Sequence, residues 1–379
     1  MASRQIAALE TVAVSTLRYR LVVTGVLVFV ALTPFQPFAW TSASDDRLAP
    51  EQPMMTMSKA VARQEAVVFG VYPEAGNGEV GNVTSPGHAL VLDAIDELRV
   101  NQPFDVHLYT AWSWHNTGEL DAKINSYTSA GLTITLTIKY SPPPGHNGDV
   151  KGYTKFVQTV VRRYGANPAV KRYVIGNEAN VTWGDPGSSD GPFKDASRAV
   201  VEGVVAAHQQ LKKMPSSAEV GTSIAITDSA QDAAFLRNAT KRGGLSFIQA
   251  VSFIGINVYP GLWPVGTNDP YADMATHLRT TRAAISNAGL KPSVSIAVLE
   301  NGFPTADDAE QAARLTPMVK AVCDLASEVG VSSYSWFGLV DANSGSDNRF
   351  AHFGLLRSDL SQRPSFDRYR ELIAAACAT

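Results

Sequence analysis

Cysteine is nearly absent from this chain: Cys323 and Cys377 are its only two among 379 residues. That excludes a zinc site of the paired-cysteine kind, and neither residue reads as a nucleophile. An excess of charge is lacking too. With a formal net charge of −3 there is no basic field to hold a phosphate backbone, which argues against nucleic acid as a partner. No glycine-rich dinucleotide turn follows the first apolar run, and no solenoid-type repeat occurs. No phosphate-binding glycine loop or activated lysine pair favours an oxidoreductase or aldolase. No constellation of metal ligands emerges, His115 and His146 reading as loop residues. The expectation is a protein that works without metal or cofactor.

What the chain has is 45% hydrophobic residues, as a well-buried core requires. Near the start, Arg18-Tyr19-Arg20 precedes an apolar run at 21–32, followed by Pro34, Pro37 and Thr41-Ser42-Ala43-Ser44. That is the order of a secretory signal, with a cleavage site at Thr41-Ser42-Ala43. Residues 1–44 therefore read as a signal peptide, or as a retained membrane anchor if the apolar segment extends to Trp40. Residues 45–65 read as a linker and 66–379 as one folded domain, a monomer either secreted or tethered outside the cytoplasmic membrane. There Cys323 and Cys377 could form one disulfide between the last helix and its neighbour, two separate buried thiols being the alternative.

From residue 66 short β-branched runs alternate with longer amphipathic ones, the pattern of βα units around a parallel sheet. Strands are expected at 67–72, 105–109, 132–139, 170–177, 220–226, 251–259, 294–299 and 331–337. Helices are expected at 89–99, 118–130, 149–164, 193–213, 229–241, 271–288, 306–329 and 365–376. Eight evenly spaced units favour closure into an α/β (β/α)8 TIM barrel over a doubly wound open sheet.

In a closed barrel all strand ends open on one face, so function is sought just after each strand. In order these positions hold Tyr72 and Glu74, Tyr109 and Trp112, Lys139 and Tyr140, Asn177 and Glu178, Thr227 and Asp228, Asn257 and Tyr259, Glu300 and Asn301, and Trp336. Aromatic faces and planar amides suit sugar rings and their hydroxyls. Two carboxylates at strand ends are the minimum equipment of a glycosidase. Trp112, Trp114, Trp183 and Trp263 lie on loops as candidate sugar platforms, with loop packing as the alternative for each. Lys139, His107, Asp228, Asp341 and Glu74 are further pocket candidates. Glu178 and Glu300 as structural carboxylates, and Trp336 and Tyr259 as packing residues, are the competing readings.

Asn-Glu after the fourth strand, Tyr after the sixth, Glu after the seventh and Trp on the eighth together resemble clan A of the glycoside hydrolases. Val174-Ile175-Gly176-Asn177-Glu178, Ile256-Asn257-Val258-Tyr259-Pro260 and Leu299-Glu300-Asn301-Gly302-Phe303-Pro304-Thr305 are similar to the motifs of family 17, the β-1,3-glucanases. They are also similar to uncharacterised secreted glycosidase-like proteins of actinobacteria. His107-Leu108-Tyr109 stands where family 17 has an arginine motif, and the paired histidines of family 5 are missing. The resemblance implies a retaining β-glycosidase acting on a poly- or oligosaccharide. In it Glu178 is the acid/base, Glu300 the nucleophile, Tyr259 the donor that keeps Glu300 ionised, and Asn177 the reader of the sugar 2-hydroxyl. A glycan-binding barrel of the cell envelope without catalysis, or a transglycosylase on the same site, is the alternative.

Overall fold

The β-branched runs become eight strands: β1 (Val68–Val71), β2 (Phe104–Ala111), β3 (Thr133–Lys139), β4 (Val170–Ile175), β5 (Glu219–Ala225), β6 (Phe253–Asn257), β7 (Ser295–Asn301) and β8 (Val331–Trp336). Each pairs with its neighbours in parallel and β8 closes on β1, so the sheet is a closed barrel. After each strand comes one helix: α1 (His88–Arg99), α2 (Thr117–Ser129), α3 (Val150–Tyr164), α4 (Ala196–Leu211), α5 (Ser229–Ala250), α6 (Pro270–Asn287), α7 (Asp308–Val329) and α8 (Pro364–Ala375). This is the (β/α)8 TIM barrel. The computed structural model describes residues 67–74, 87–114, 117–263 and 266–377. The readings of 1–44 and 45–65, and His115, lie outside them.

Side chains alternate across each strand, and that alternation sorts the core. On β4, Tyr173 and Ile175 join the large cluster beneath the helices, while Val174 meets Phe253, Ala297 and Leu299 in a smaller one. Polar groups share this interior. The His107 ring joins Thr137 Oγ1 at 2.7 Å and the Leu299 carbonyl at 3.1 Å. Burial lowers its pKa to about 4, so the imidazole is neutral and braces three strands.

The fifth helix is longer than the sequence predicts. The expected end at 241 falls just before Gly243-Gly244, and Gly244 leaves helical geometry (φ 55, ψ −149). The chain resumes helix to Ala250 because Phe247 and Ala250 are fully buried; tertiary packing overrides local propensity. Cys323 on α7 and Cys377 just beyond α8 are joined in a disulfide with Cα atoms 5.0 Å apart.

Candidate active site

The Asn177-Glu178 pair does not end β4 but sits in the turn beyond it, with Gly176 at φ 76 and Glu178 at φ 51. A Cβ on Gly176 would meet Val200 Cγ2 at 2.4 Å, so both dihedral and space demand glycine there. Glu178 in the left-handed region costs roughly 1–2 kcal/mol, and something must hold it. Asp190 does so. Its buried carboxylate accepts the backbone N–H groups of Tyr140 and Asn177, both at 2.7 Å, and its own N–H donates to the Asn177 carbonyl at 2.8 Å. Burial raises the Asp190 pKa, opposed by nearby Lys139 and by these N–H donors.

Glu178 and Glu300 line one cleft of about 450 Å³ at the strand C-termini. Asn257 Nδ2 donates to Glu178 Oε1 at 2.8 Å, and Ser189 Oγ donates to Oε2 at 2.6 Å. Tyr259 donates its phenol to Glu300 Oε2 at 2.6 Å, and Tyr109 donates to Oε1. Asn257 and Glu300 are register partners between β6 and β7, so the residue that bonds one carboxylate neighbours the other. Burial, opposed by the Ser189 and Asn257 donors, raises Glu178 above the ordinary carboxyl range. Burial and the charge of Glu178 push Glu300 up to about 7, against the pull of the two phenols. Both tyrosines are themselves raised well above their usual range, by burial first and by Glu300 second; they keep their protons and remain donors.

Of the expected site residues, Asn177, Tyr259, Asn257, Tyr109, Trp183, Trp263 and Lys139 line this cleft, as does Trp114. Asn177 Nδ2 donates to the Ser188 carbonyl at 2.8 Å. Lys139 Nζ is taken up by the carbonyls of Gly187 (2.7 Å) and Ser188 (3.0 Å), which fixes the β4–α4 loop. Trp183 is 66% exposed, and Trp263 stacks on Phe350 with centroids 5.5 Å apart.

Two expectations are corrected. Trp336 has no exposed surface. Alternation along β8 turns it toward α8, where its ring meets Tyr369 and its Nε1 donates to the Phe353 carbonyl at 3.1 Å. The aromatic that reaches the cleft is the next residue, Phe337, stacked on Tyr72. Trp112 packs against Tyr140, His146 and Tyr153 rather than lining the cleft. Among the weaker candidates, Asp228 caps the N-terminus of α5 and Glu74 pairs with Lys123. Asp341 is buried beside Arg363, and His107 lies in the barrel interior.

Sequence reasoning missed Ser189, Asp190, Phe350 and Phe353. Ser189 and Asp190 lie in the stretch Asp185-Pro186-Gly187-Ser188-Ser189-Asp190, which reads as an ordinary turn; no local signal sets them apart. A second cavity of about 610 Å³, bordered by Phe303, Arg314 and Arg349, shares no lining residue with the cleft and contains neither glutamate.

No family model matches the chain, and no curated protein matches its sequence. Solved structures do match. A β-glucosidase from Thermotoga maritima in complex with azafagomine is 12% identical, with a TM-score of 0.58, over 82% of this chain and 98% of that one. A glucosidase from Croceicoccus marinus is 18% identical, with a TM-score of 0.57, over 83% of this chain and 68% of that one. A fungal β-1,4-galactanase structure is 16% identical, with a TM-score of 0.56, over 81% of this chain and all of that one (100%). At such identities the likeness is one of fold.

Proposed function

We propose that the protein is a retaining β-glycoside hydrolase acting on a poly- or oligosaccharide, with Glu300 as nucleophile and Glu178 as acid/base. The observation that carries this reading is the asymmetry of two facing carboxylates. Burial raises both carboxyls and the charge of Glu178 raises Glu300 further, so the pair favours holding one proton where free glutamates hold none, and their hydrogen bonds decide where it rests. Both oxygens of Glu300 accept phenol donors, which favours its anion. Oε2 of Glu178 faces a serine hydroxyl, which can accept a hydrogen bond as well as donate one. The anion therefore belongs on Glu300 and the shared proton on Glu178, and the value near 7 is that of the pair losing this proton.

In the first step a Glu300 oxygen attacks the anomeric carbon. The glycosidic C–O bond breaks, its electron pair leaves with the oxygen, and the Glu178 proton passes to that oxygen. In the second step Glu178, now the anion, takes a proton from water, whose oxygen attacks the same carbon and frees Glu300. Asn177, next to the acid, is placed to bind a sugar hydroxyl in the oxocarbenium-like transition state. The exposed faces of Trp114, Trp183 and Trp263 supply stacking surface along the cleft.

The three motifs similar to family 17 favour β-glucan as substrate. The Cys323–Cys377 disulfide supports export to an oxidising compartment, in agreement with the signal-like N-terminus, and the protein is proposed to work there as a monomer. The test is incubation with β-glucans, galactans, mannans, xylans and arabinans, with reducing-sugar release measured for the wild type and for Glu300→Ala. Release from one of them by the wild type alone is expected. No release from any, or equal release by both proteins, contradicts the reading.

A further inference from the structure

The segment 187–190 of the β4–α4 loop holds Glu178 and two of its neighbours, Lys139 and Asn177. The Gly187 and Ser188 carbonyls hold Lys139 Nζ, the Ser188 carbonyl also holds Asn177 Nδ2, and the Asp190 carboxylate holds the Asn177 backbone. Ser189 supplies the one side chain of this clamp that meets the carboxyl itself, 2.6 Å from Oε2, and it is buried. The other partner of Glu178 differs in kind. Asn257 meets Oε1 through an amide nitrogen, which only donates, whereas a hydroxyl turns either way.

We infer that Ser189 is a positioning residue for proton transfer, accepting from Glu178 when it is protonated and donating to it when it is ionised. This rests on the glycosidase reading and goes beyond it, because neither carboxylate's role predicts which loop residue governs the acid. When the glycosidic bond breaks and the proton leaves Oε2 for the departing oxygen, the Ser189 hydroxyl reverses by rotation about its C–O bond. The carboxyl keeps its rotamer in both halves of the cycle, so the same oxygen is ready to take the proton back from water. The charged or titratable groups that face Glu178 are Lys139 from β3, Asp190 from the loop, Glu300 from β7 and Tyr259 beyond β6. Among them Ser189 brings the aliphatic hydroxyl that bonds the carboxyl directly.

The experiment compares wild type, Ser189→Ala and Ser189→Thr in two ways. The first is the ratio of kcat/KM for the 2,4-dinitrophenyl and 4-methoxyphenyl β-glycosides of whichever sugar the wild type cleaves. The nitrophenolate leaves without protonation, whereas the methoxyphenolate requires the acid. Ser189→Ala should lose at least ten times more on the methoxyphenyl substrate than on the dinitrophenyl one, and Ser189→Thr should restore most of that difference. The second is a 13C NMR titration of the Glu178 carboxyl in protein without substrate. Ser189→Ala removes a bond from both forms, but the bond to the anion is charge-assisted and the stronger of the two, so the midpoint should move up by about one pH unit. Equal losses on both glycosides, or an unmoved midpoint, would overturn the inference, since a merely structural serine slows both substrates alike. A wild type that cleaves no β-glycoside of any sugar tried overturns the glycosidase reading and the proton-transfer role of Ser189 with it. The midpoint then still shows whether the contact exists.

Discussion

Tyr259 donates its phenolic hydrogen to Glu300 at 2.6 Å, and with Tyr109 on the other oxygen the carboxylate is held by two neutral donors. Among the described residues, no arginine or lysine is a hydrogen-bond partner of this carboxylate. An ionised Glu300 therefore depends on these phenols. Tyr259→Phe removes one of them, so the Glu300 pKa should rise and the acid limb of the kcat/KM profile should move to higher pH. At the pH optimum the expected loss is roughly 10- to 100-fold, or about 1.4–2.7 kcal/mol. The check is the pH profile of wild type against variant; a uniform loss with an unmoved acid limb would contradict the role of Tyr259.

Glu178→Ala removes the proposed acid/base and leaves the proposed nucleophile in place. Hydrolysis of substrates with poor leaving groups should fall at least 10²-fold. Azide, which needs no general base, should rescue turnover of a dinitrophenyl glycoside and yield a glycosyl azide. Product analysis by NMR or mass spectrometry checks this.

The site is built at the expense of stability. Glu300 lies near 7 in the folded protein, above the ordinary glutamate value of about 4.3. Between those values the folded pair of Glu178 and Glu300 keeps a proton that the unfolded chain has released, so the pair's contribution to stability falls as pH rises from about 4 to about 7. Glu300→Gln should therefore stabilise the fold at pH 8, by roughly 3–4 kcal/mol before any loss from altered hydrogen bonds. At pH 4 it should have little effect. Urea unfolding at both pH values measures the difference.

Asp190 is expected to matter for the fold as much as for the site. In Asp190→Ala the backbone N–H groups of Tyr140 and Asn177 lose their buried acceptor. The expected cost is roughly 3–4 kcal/mol, with Glu178 no longer held at positive φ. Reduced or absent soluble expression, or a large drop in Tm, is the expected readout.

Trp183 and Trp336 should behave oppositely. Trp183→Ala removes an exposed ring, so Tm should stay within about 2 °C while KM for an oligosaccharide rises several-fold. Trp336→Ala empties a fully buried position and should cost about 3–5 kcal/mol. Thermal melts and Michaelis kinetics on both variants decide it.

The barrel was legible in the chain because eight apolar runs carry the same punctuation, and because inward and outward positions on each strand follow a period of two. That period also explains the error at the eighth strand. Trp336 and Phe337 are adjacent aromatics, and composition does not say which one faces in; the register with α8 does. Glu178 and Glu300 were legible because a carboxylate beyond an apolar strand has few structural uses. Ser189 and Asp190 were not, since each becomes functional only when the loop folds back over β4, a contact no local pattern encodes. Helix α5 runs past its expected end at 241 because the burial of Phe247 is a tertiary contact that local propensity does not carry.

The most direct test of the account is covalent trapping of the nucleophile. Incubation with 2-deoxy-2-fluoro-β-glycosyl fluorides of glucose, galactose, mannose and xylose, followed by peptide mapping by mass spectrometry, should find one fluorosugar esterified to Glu300 in the wild type. Glu300→Gln should carry none. An adduct on another residue, or no adduct on a protein that does hydrolyse the corresponding glycoside, would contradict the assignment of Glu300 and with it the retaining mechanism.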